Sequence, residues 1–366
     1  MKVWHYLRAS LEIIGKQRHR SPPLSQAIDR PRTQVAGTRS RGDESVNHAN
    51  FIGVTAVNRN GPNANHATRA ADSSEGSGYA LENAAAQAGE RFAALSALFD
   101  IGTIRHLEDR GVSTGWRCLE VGGGGGSVAS WLGERVGPRG GVVVTDINTR
   151  FLETLHQPNI EVRQHNIVTD ALPEAAFDLV HARLVLMHLP EREAVLTRLV
   201  AALKPGGWLV DEEFDALALH DDPELRSSEE FLQSTTAFHR VLTQRGVDLR
   251  FGRLLFARLR ALGLDNVGAE ARQVMLPGRS VGADLIRTNF DQLRQAMIGG
   301  GHITAREFEH DIRRLDDPDF QTPSPPLWAA WGRRPQKLAH DGENQNEPGI
   351  QWHPDDDNDD PLAIMW

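Results

Sequence analysis

The sequence predicts an α/β fold, a doubly wound and mostly parallel sheet of seven strands with helical insertions, and three observations predict it. Short apolar runs alternate with helical segments between residues 116 and 215, the pattern of parallel strands joined by crossover helices. The first of these runs, Arg117-Cys118-Leu119-Glu120-Val121, breaks into five consecutive glycines, Gly122 to Gly126. Helical segments on both sides of the alternating region are not needed to complete the sheet, which marks them as a lid over its ligand crevice.

The elements follow in order. Residues 81–110 have helical spacing, with Phe92, Leu95, Leu98 and Phe99, then Ile104 and Leu107, and Gly111 as the stop. Cys118, Leu119 and Val121 form a buried first strand, and a helix runs from Ser127 to about Arg135. Between them only residues without Cβ allow so sharp a turn so close to a ligand. The helix that follows aims unpaired N–H groups at that ligand. Val142-Val143-Val144-Thr145 is a second strand ending at Asp146, followed by a helix over 149–156. Ile160–Arg163 is a third strand and Phe177–Val180 a fourth. An amphipathic helix over 191–203 closes at Lys204-Pro205-Gly206-Gly207, and Trp208-Leu209-Val210 opens the fifth strand. Beyond 216, residues 225–262 read as helical, Val267–Leu276 and Leu327–Trp331 as the last two strands, and 282–315 as a helical insertion between them.

The flanks differ. Residues 1–76 are rich in Arg, Asn, Ser, Gly and Pro without periodicity and are expected to be a disordered extension. The segment 336–366 holds Asp355, Asp356, Asp357, Asp359 and Asp360 and reads as a solvated acidic tail. The domain therefore spans 79–335, with lid helices over 79–110, a ligand-binding half over 116–215, and lid plus last strands over 216–335. The net charge of −9 shows no basic face for nucleic acid. No apolar run reaches the length of roughly 18–20 residues that crosses a bilayer. No cleavage site follows the N-terminal apolar residues, and the single cysteine, Cys118, excludes a disulfide framework, so a cytoplasmic protein is expected. Oligomeric state has no signal in the sequence.

Two readings compete for the glycine run. Gly124, Gly126 and Ala129 satisfy the dinucleotide fingerprint G-x-G-x-x-G/A, which would make the chain a nicotinamide-dependent oxidoreductase. The other frame, Glu120-x-Gly122-x-Gly124-x-Gly126, puts a carboxylate at the end of the first strand, where it repels a pyrophosphate and attracts an ammonium group.

In that second frame residues 79–335, and most closely 116–215, resemble the class I S-adenosylmethionine-dependent methyltransferases, which have a Rossmann-like sheet. The resemblance implies S-adenosyl-L-methionine as cofactor, with Glu120, Gly122, Gly124 and Gly126 lining its methionine end. It implies that Asp146, about twenty residues past the glycines as in such sheets, accepts the ribose hydroxyls, with Ile147 beside it. A carboxylate suits two hydroxyls because it accepts twice and donates nothing. Asn166 and the Ile167 N–H would meet the adenine, Asn standing where an acid is usual; Asn166 as a simple turn residue is the alternative. Phe177–Arg183 resembles the fourth-strand motif that borders the methionine moiety, which brings in Arg183, also readable as a lid ion pair. Tyr79 and Arg91 resemble positions that cap the cofactor.

Methyl transfer is an in-line displacement that asks mainly for positioning and water exclusion. A base is needed only when the nucleophile keeps its proton. His188 is the candidate base, with His181, Glu212, Glu213 and Asp215 nearby; closing a helix end is its plain alternative. No metal ligand set is evident. A small-molecule acceptor, methylated on O, N or C, fits the lid and the absent basic patch, and no nucleic-acid or membrane partner is expected. A non-catalytic cofactor-binding module is the further alternative.

Overall fold

The computed structural model describes residues 88–336. The expected extension 1–76, Tyr79 and the acidic tail lie outside the described residues, apart from Gln336. Helix α1 (Ala88–Asp109) leads through Gly111 into β1 (Arg117–Val121), α2 (Ser127–Val136), β2 (Gly141–Asp146), β3 (Ile160–Gln164), β4 (Phe177–Arg183), α3 (Arg192–Ala202) and β5 (Leu203–Phe214). Two short helices, α4 (Ala218–Asp221) and α5 (Pro223–Ser227), precede α6 (Gln233–Gln244) and α7 (Phe251–Ala261). The remainder is β6 (Asp265–Arg272), β7 (Met275–Pro277), α8 (Val281–Gly299), α9 (Ala305–Arg314), β8 (Gln321–Pro323) and β9 (Leu327–Arg333).

Seven strands form one sheet in the order β3-β2-β1-β4-β5-β9-β6. The first five are parallel, while β9 runs antiparallel to both β5 and β6. The order reverses between β1 and β4, and the crevice outside the carboxyl ends of strands at such a point is where ligands bind. An antiparallel strand inserted before the last one departs from the all-parallel 3-2-1-4-5-6 dinucleotide sheet.

Both faces are covered, as a parallel sheet requires. One face carries Leu119, Val180 and Leu209, which join Val195, Val241 and Leu255 of α3, α6 and α7 in one core. The other carries Cys118, Val142, Leu179 and Val210, packed with Leu107 of α1 and Val128, Leu132 and Val136 of α2. Full burial of each such side chain contributes about 1.5–3 kcal/mol.

Four expectations need correction. The helix expected over 149–156 is only a 3-10 turn, Thr149–Phe151, followed by Leu152, which keeps helical φ and ψ and is fully buried beneath the glycine turn. Lys204–Gly207 lies inside β5 as an irregularity: Leu203 pairs with Phe177 and Trp208 with Leu179, with Gly206 at a φ of 81° taking up the extra length. The strand expected over 267–276 is two, since β7 leaves the main sheet to pair with β8 at the base of the α8–α9 insertion. The 225–262 segment is likewise divided into α5, α6 and α7.

Candidate functional site

The glycine turn is a cradle built by backbone alone. Gly122, Gly124 and Gly126 have φ of 67°, 52° and 80°, the left-handed region that glycine enters without penalty. Crowding adds a second constraint: a Cβ on Gly122 would lie 2.4 Å from Val185 Cγ2, and one on Gly123 2.4 Å from Val144 Cγ1. The Gly122 and Gly123 N–H groups donate to Thr145 O at 2.8 and 3.0 Å, tying the turn to β2. No side chain caps the start of α2, where Gly126 precedes Ser127.

Asp146 sits where β2 ends and is 6% exposed. Its Oδ2 accepts the Gly124 N–H at 3.0 Å and its Oδ1 the Asn148 N–H at 2.9 Å. Both oxygens are thus fixed by backbone, and each retains a second lone pair. Burial pushes its carboxyl up, outweighing the backbone N–H groups that favour the charged form. Ile147 is half-buried beside it. Asn166 is exposed; its Oδ1 accepts the Val168 N–H at 2.9 Å and its own N–H donates to Asp170 at 2.9 Å, an Asx turn that shapes the loop after β3. Ile167 is buried in the core.

Helix α1 covers this turn. The ring of Phe92 lies against it: a Cβ on Gly124 would be 3.1 Å from Phe92 Cε1, and one on Gly125 3.0 Å from Phe92 Cβ. Phe92 meets Phe151 edge-to-face at 5.4 Å, bridging α1 to the loop after β2. Ser96 of α1 and Ser127 of α2 share a hydrogen bond of 2.7 Å. Arg91, buried, donates to Gln292 of α8 at 2.9 Å and joins α1 to the insertion.

Between β1 and β4, where the sheet order reverses, the structure pairs Glu120 with His181 in register. The Glu120 carboxylate, 3% exposed, lies 2.6 Å from His181 Nδ1. Nε2 of the same ring is 3.7 Å from Glu212 Oε2, an ion-pair separation beyond hydrogen-bond reach. Burial alone would push the imidazole down; Glu120, by charge and hydrogen bond, and then Glu212 overcome it and raise it to about 10. Glu212 in turn accepts a hydrogen bond from the Thr103 hydroxyl of α1. Arg183 donates to Thr103 at 2.9 Å and to Asp100 at 2.8 Å, the lid ion pair that was its alternative reading.

The loop after β4 is held by another buried acid. Glu213 Oε1 accepts the N–H groups of Val185 and Leu186 at 3.0 and 2.6 Å, setting Val185 against Gly122. Burial and then Asp211 push the Glu213 carboxyl well above its usual range, and burial raises Asp211 to about 8. His188 closes the 3-10 turn Leu186–His188, 7% exposed. Burial, then Arg91 and Arg192, lower its imidazole to about 3, so it is neutral at physiological pH. Asp215 is held by Arg253 at 2.5 Å. Among the described residues no group of three or more His, Cys, Asp or Glu is arranged around a metal position.

Sequence reasoning named the glycines, Asp146 and the histidines, but not Phe92 with Phe151 as a bridge across the turn, nor Thr103 and Asp100 as partners of the buried charges. Buried positions at i, i+4 and i+7 of α1, namely Phe99, Thr103 and His106, include two polar residues on the face turned to the sheet, which is the one visible signal.

With this geometry in place, the likeness to known proteins is specific. A family described as "Methyltransferase domain" matches residues 119–209, from β1 into β5. Methyltransferase str2 of Strobilurus tenacellus is 29% identical over 185 residues, 50% of this chain and 66% of that protein. The ubiquinone/menaquinone biosynthesis C-methyltransferase UbiE of Pseudomonas fluorescens (strain SBW25) is 34% identical over 116 residues, 30% of this chain and 45% of that one. The chain thus spans less than two thirds of the length of these relatives. Among solved structures, phosphoethanolamine N-methyltransferase 2 of Haemonchus contortus has a TM-score of 0.45 at 14% identity over 69% of this chain and 58% of that one. YcgJ of Bacillus subtilis has a TM-score of 0.44 at 13% identity over 65% and 100%. The matched span holds the glycine turn, Asp146 and the β1–β4 switch point, so the match to a methyltransferase domain over residues 119–209 falls on the site described here.

Proposed function

We propose that the chain binds S-adenosyl-L-methionine across the carboxyl ends of β1, β2 and β3 and moves its methyl group to a small-molecule acceptor on O, N or C. The observation that carries this reading is Asp146, a buried carboxylate at the end of β2 whose two oxygens are fixed by Gly124 and Asn148 N–H groups. A ribose diol needs two acceptors set side by side and rigid, and this one is held by the same turn that would cradle the methionine end. Gly122, Gly124 and Gly126 would supply backbone in close approach, and Ile147, Ile167 and Asn166 would border the adenine. Asn166 would use the lone pair that Val168 leaves on Oδ1.

The cofactor supplies a methyl carbon activated by the sulfonium for in-line displacement. The protein's part is to orient the acceptor and exclude water, which together can account for several kcal/mol of the barrier. Helix α1 and the loop after β4 would do this, with Phe92 over the turn and Glu213 holding Val185 and Leu186 in place. Neutral His188 can accept a proton from an acceptor hydroxyl, although an imidazole held at about 3 is a weak base, which favours an acceptor that ionises readily. Arg183 would act through α1 by its bonds to Asp100 and Thr103. The unit performing this would be 79–335, in a reducing compartment such as the cytoplasm, consistent with Cys118 as the single cysteine. No helix among the described residues is long and apolar enough to cross a membrane.

Replacement of Asp146 tests the reading. Asp146→Ala should weaken S-adenosylhomocysteine binding by roughly 2–3 kcal/mol, the range for hydrogen bonds to a charged group, while Asp146→Asn should keep part of it. Unchanged affinity in Asp146→Ala, measured by calorimetry, would contradict the ribose assignment.

A further inference from the structure

The methyl-transfer reading leaves unexplained why three ionisable groups are buried in a row beneath the cofactor turn. Glu120, His181 and Glu212 are each 3% exposed or less, and isolated charges at such depth are strongly disfavoured. They are not isolated. Nδ1 of His181 donates to Glu120 Oε2 at 2.6 Å, and Nε2 faces Glu212 Oε2 at 3.7 Å. Glu212 accepts from Thr103, Thr103 accepts from Arg183, and Arg183 also donates to Asp100. The chain of contacts begins two residues before Gly122 on β1, crosses β4 and β5, and ends on the middle of α1.

Helix α1 carries Phe92 over Gly124 and Gly125 two turns before Asp100 and three before Thr103. Ser96 and Ser127 add a hydrogen bond of 2.7 Å between α1 and the start of α2. Phe92 is held locally by Phe151 and by the neighbouring Arg91–Gln292 bond, and the middle of α1, from which that end of the helix extends, is attached to the sheet through the buried charges.

We infer that His181 is a positioning residue for the cofactor site: an imidazolium clamped between Glu120 and Glu212 that locks α1 onto the sheet and so holds Phe92 over the glycine turn. A neutral ring could satisfy one carboxylate only, whereas the doubly protonated ring has an N–H toward each. The raised proton affinity of His181 agrees with this arrangement. Glu120 from β1 and Asp211 and Glu212 from β5 bear on its charge directly, while Arg183 from β4 and His106 from α1 bear on Glu212, and Asp100 from α1 on Arg183. Three carboxylates, Glu120, Glu212 and Asp100, stand against two cations, His181 and Arg183, so loss of the imidazolium would leave like charges facing each other across β4.

The inference rests on the cofactor reading for its consequence but not for its geometry, and the experiment separates the two. In the full chain, ring ¹⁵N spectra should show His181, assigned by its loss in His181→Gln, doubly protonated at pH 8; a neutral ring there would overturn the clamp. Hydrogen exchange read by mass spectrometry should show faster exchange over 92–107 in His181→Gln and in Thr103→Val, with β2 unchanged. Thr103→Val removes the Thr103 attachment on α1 while leaving Arg183–Asp100, and keeps the test valid if His181→Gln does not fold. Both variants should bind S-adenosylhomocysteine more weakly, by about tenfold for His181→Gln, the scale of one lost hydrogen bond to a charged group. Wild-type exchange over α1 in Thr103→Val, or looser α1 with wild-type affinity, would overturn the positioning role. Failure of the wild-type chain itself to bind would instead reject the cofactor reading, with the exchange and ring spectra still deciding the clamp.

Discussion

Gly122 shows how closely the site is specified at the scale of single residues. Its φ of 67° penalises any side chain, and a Cβ there would lie 2.4 Å from Val185 Cγ2. Val185 has little freedom to withdraw, because its N–H and that of Leu186 are bonded to buried Glu213. Gly122→Ala should therefore cost about 1–3 kcal/mol from overpacking, read as a lower midpoint in denaturant, and weaken cofactor binding with it. A stable Gly122→Ala chain would mean that the turn is looser than its contacts indicate. The five glycines were legible because a demand for positive φ and close approach leaves a compositional trace. Asp146 was legible by its place at the end of the second apolar run. The engagement of Glu120 by His181 was not, since it depends on β1 and β4 being neighbours in register, which local pattern does not encode. That pairing also offsets the charge of Glu120, so the repulsion of a pyrophosphate at this turn is weaker than the bare carboxylate suggests.

At the scale of elements, strands and crossover helices of 116–215 follow the apolar periodicity closely, with β3 exposed on alternate residues as an edge strand should be. The misses have physical causes. A three-residue strand such as β7 or β8 is too short for an alternation to register. The 149–156 segment has helical composition, yet burial of Leu152 under Gly123 wins over local propensity. Helix α1 was expected as a lid, and its sequence does not say that it is fastened by charge in the middle and by Phe92 at its start. Its apolar positions Leu95 and Leu98 are only half-buried, whereas Arg91, Thr103 and His106 are buried. The buried face is mixed, with Phe99 and Leu107 beside Arg91, Thr103 and His106.

For the whole molecule, the buried titratable groups predict how stability depends on pH. His181 has a folded value of about 10 against an ordinary 6.5, so its contribution is complete below about 6.5 and is lost as pH rises through 10. Asp211, raised to about 8, acts in the same direction: its contribution is complete below the ordinary 3.8 and is lost as pH rises through 8. His188, and His239 buried on α6, are depressed to about 3 by burial, so their contributions are present above 6.5 and are lost as pH falls from there toward 3. Stability should peak near pH 6–7, with an alkaline limb that flattens in His181→Gln; an alkaline limb identical in that variant would show that His181 does not set it. The same charges tie the sheet's switch point to the lid, so fold and site are one construction.

The central claim is the cofactor, and calorimetric titration of the purified chain with S-adenosylhomocysteine tests it most directly, because that ligand keeps every contact except the transferred methyl. The account predicts micromolar binding, about −8 kcal/mol, and none to NAD. A folded chain that binds no S-adenosylhomocysteine, or that binds NAD in its place, would contradict it.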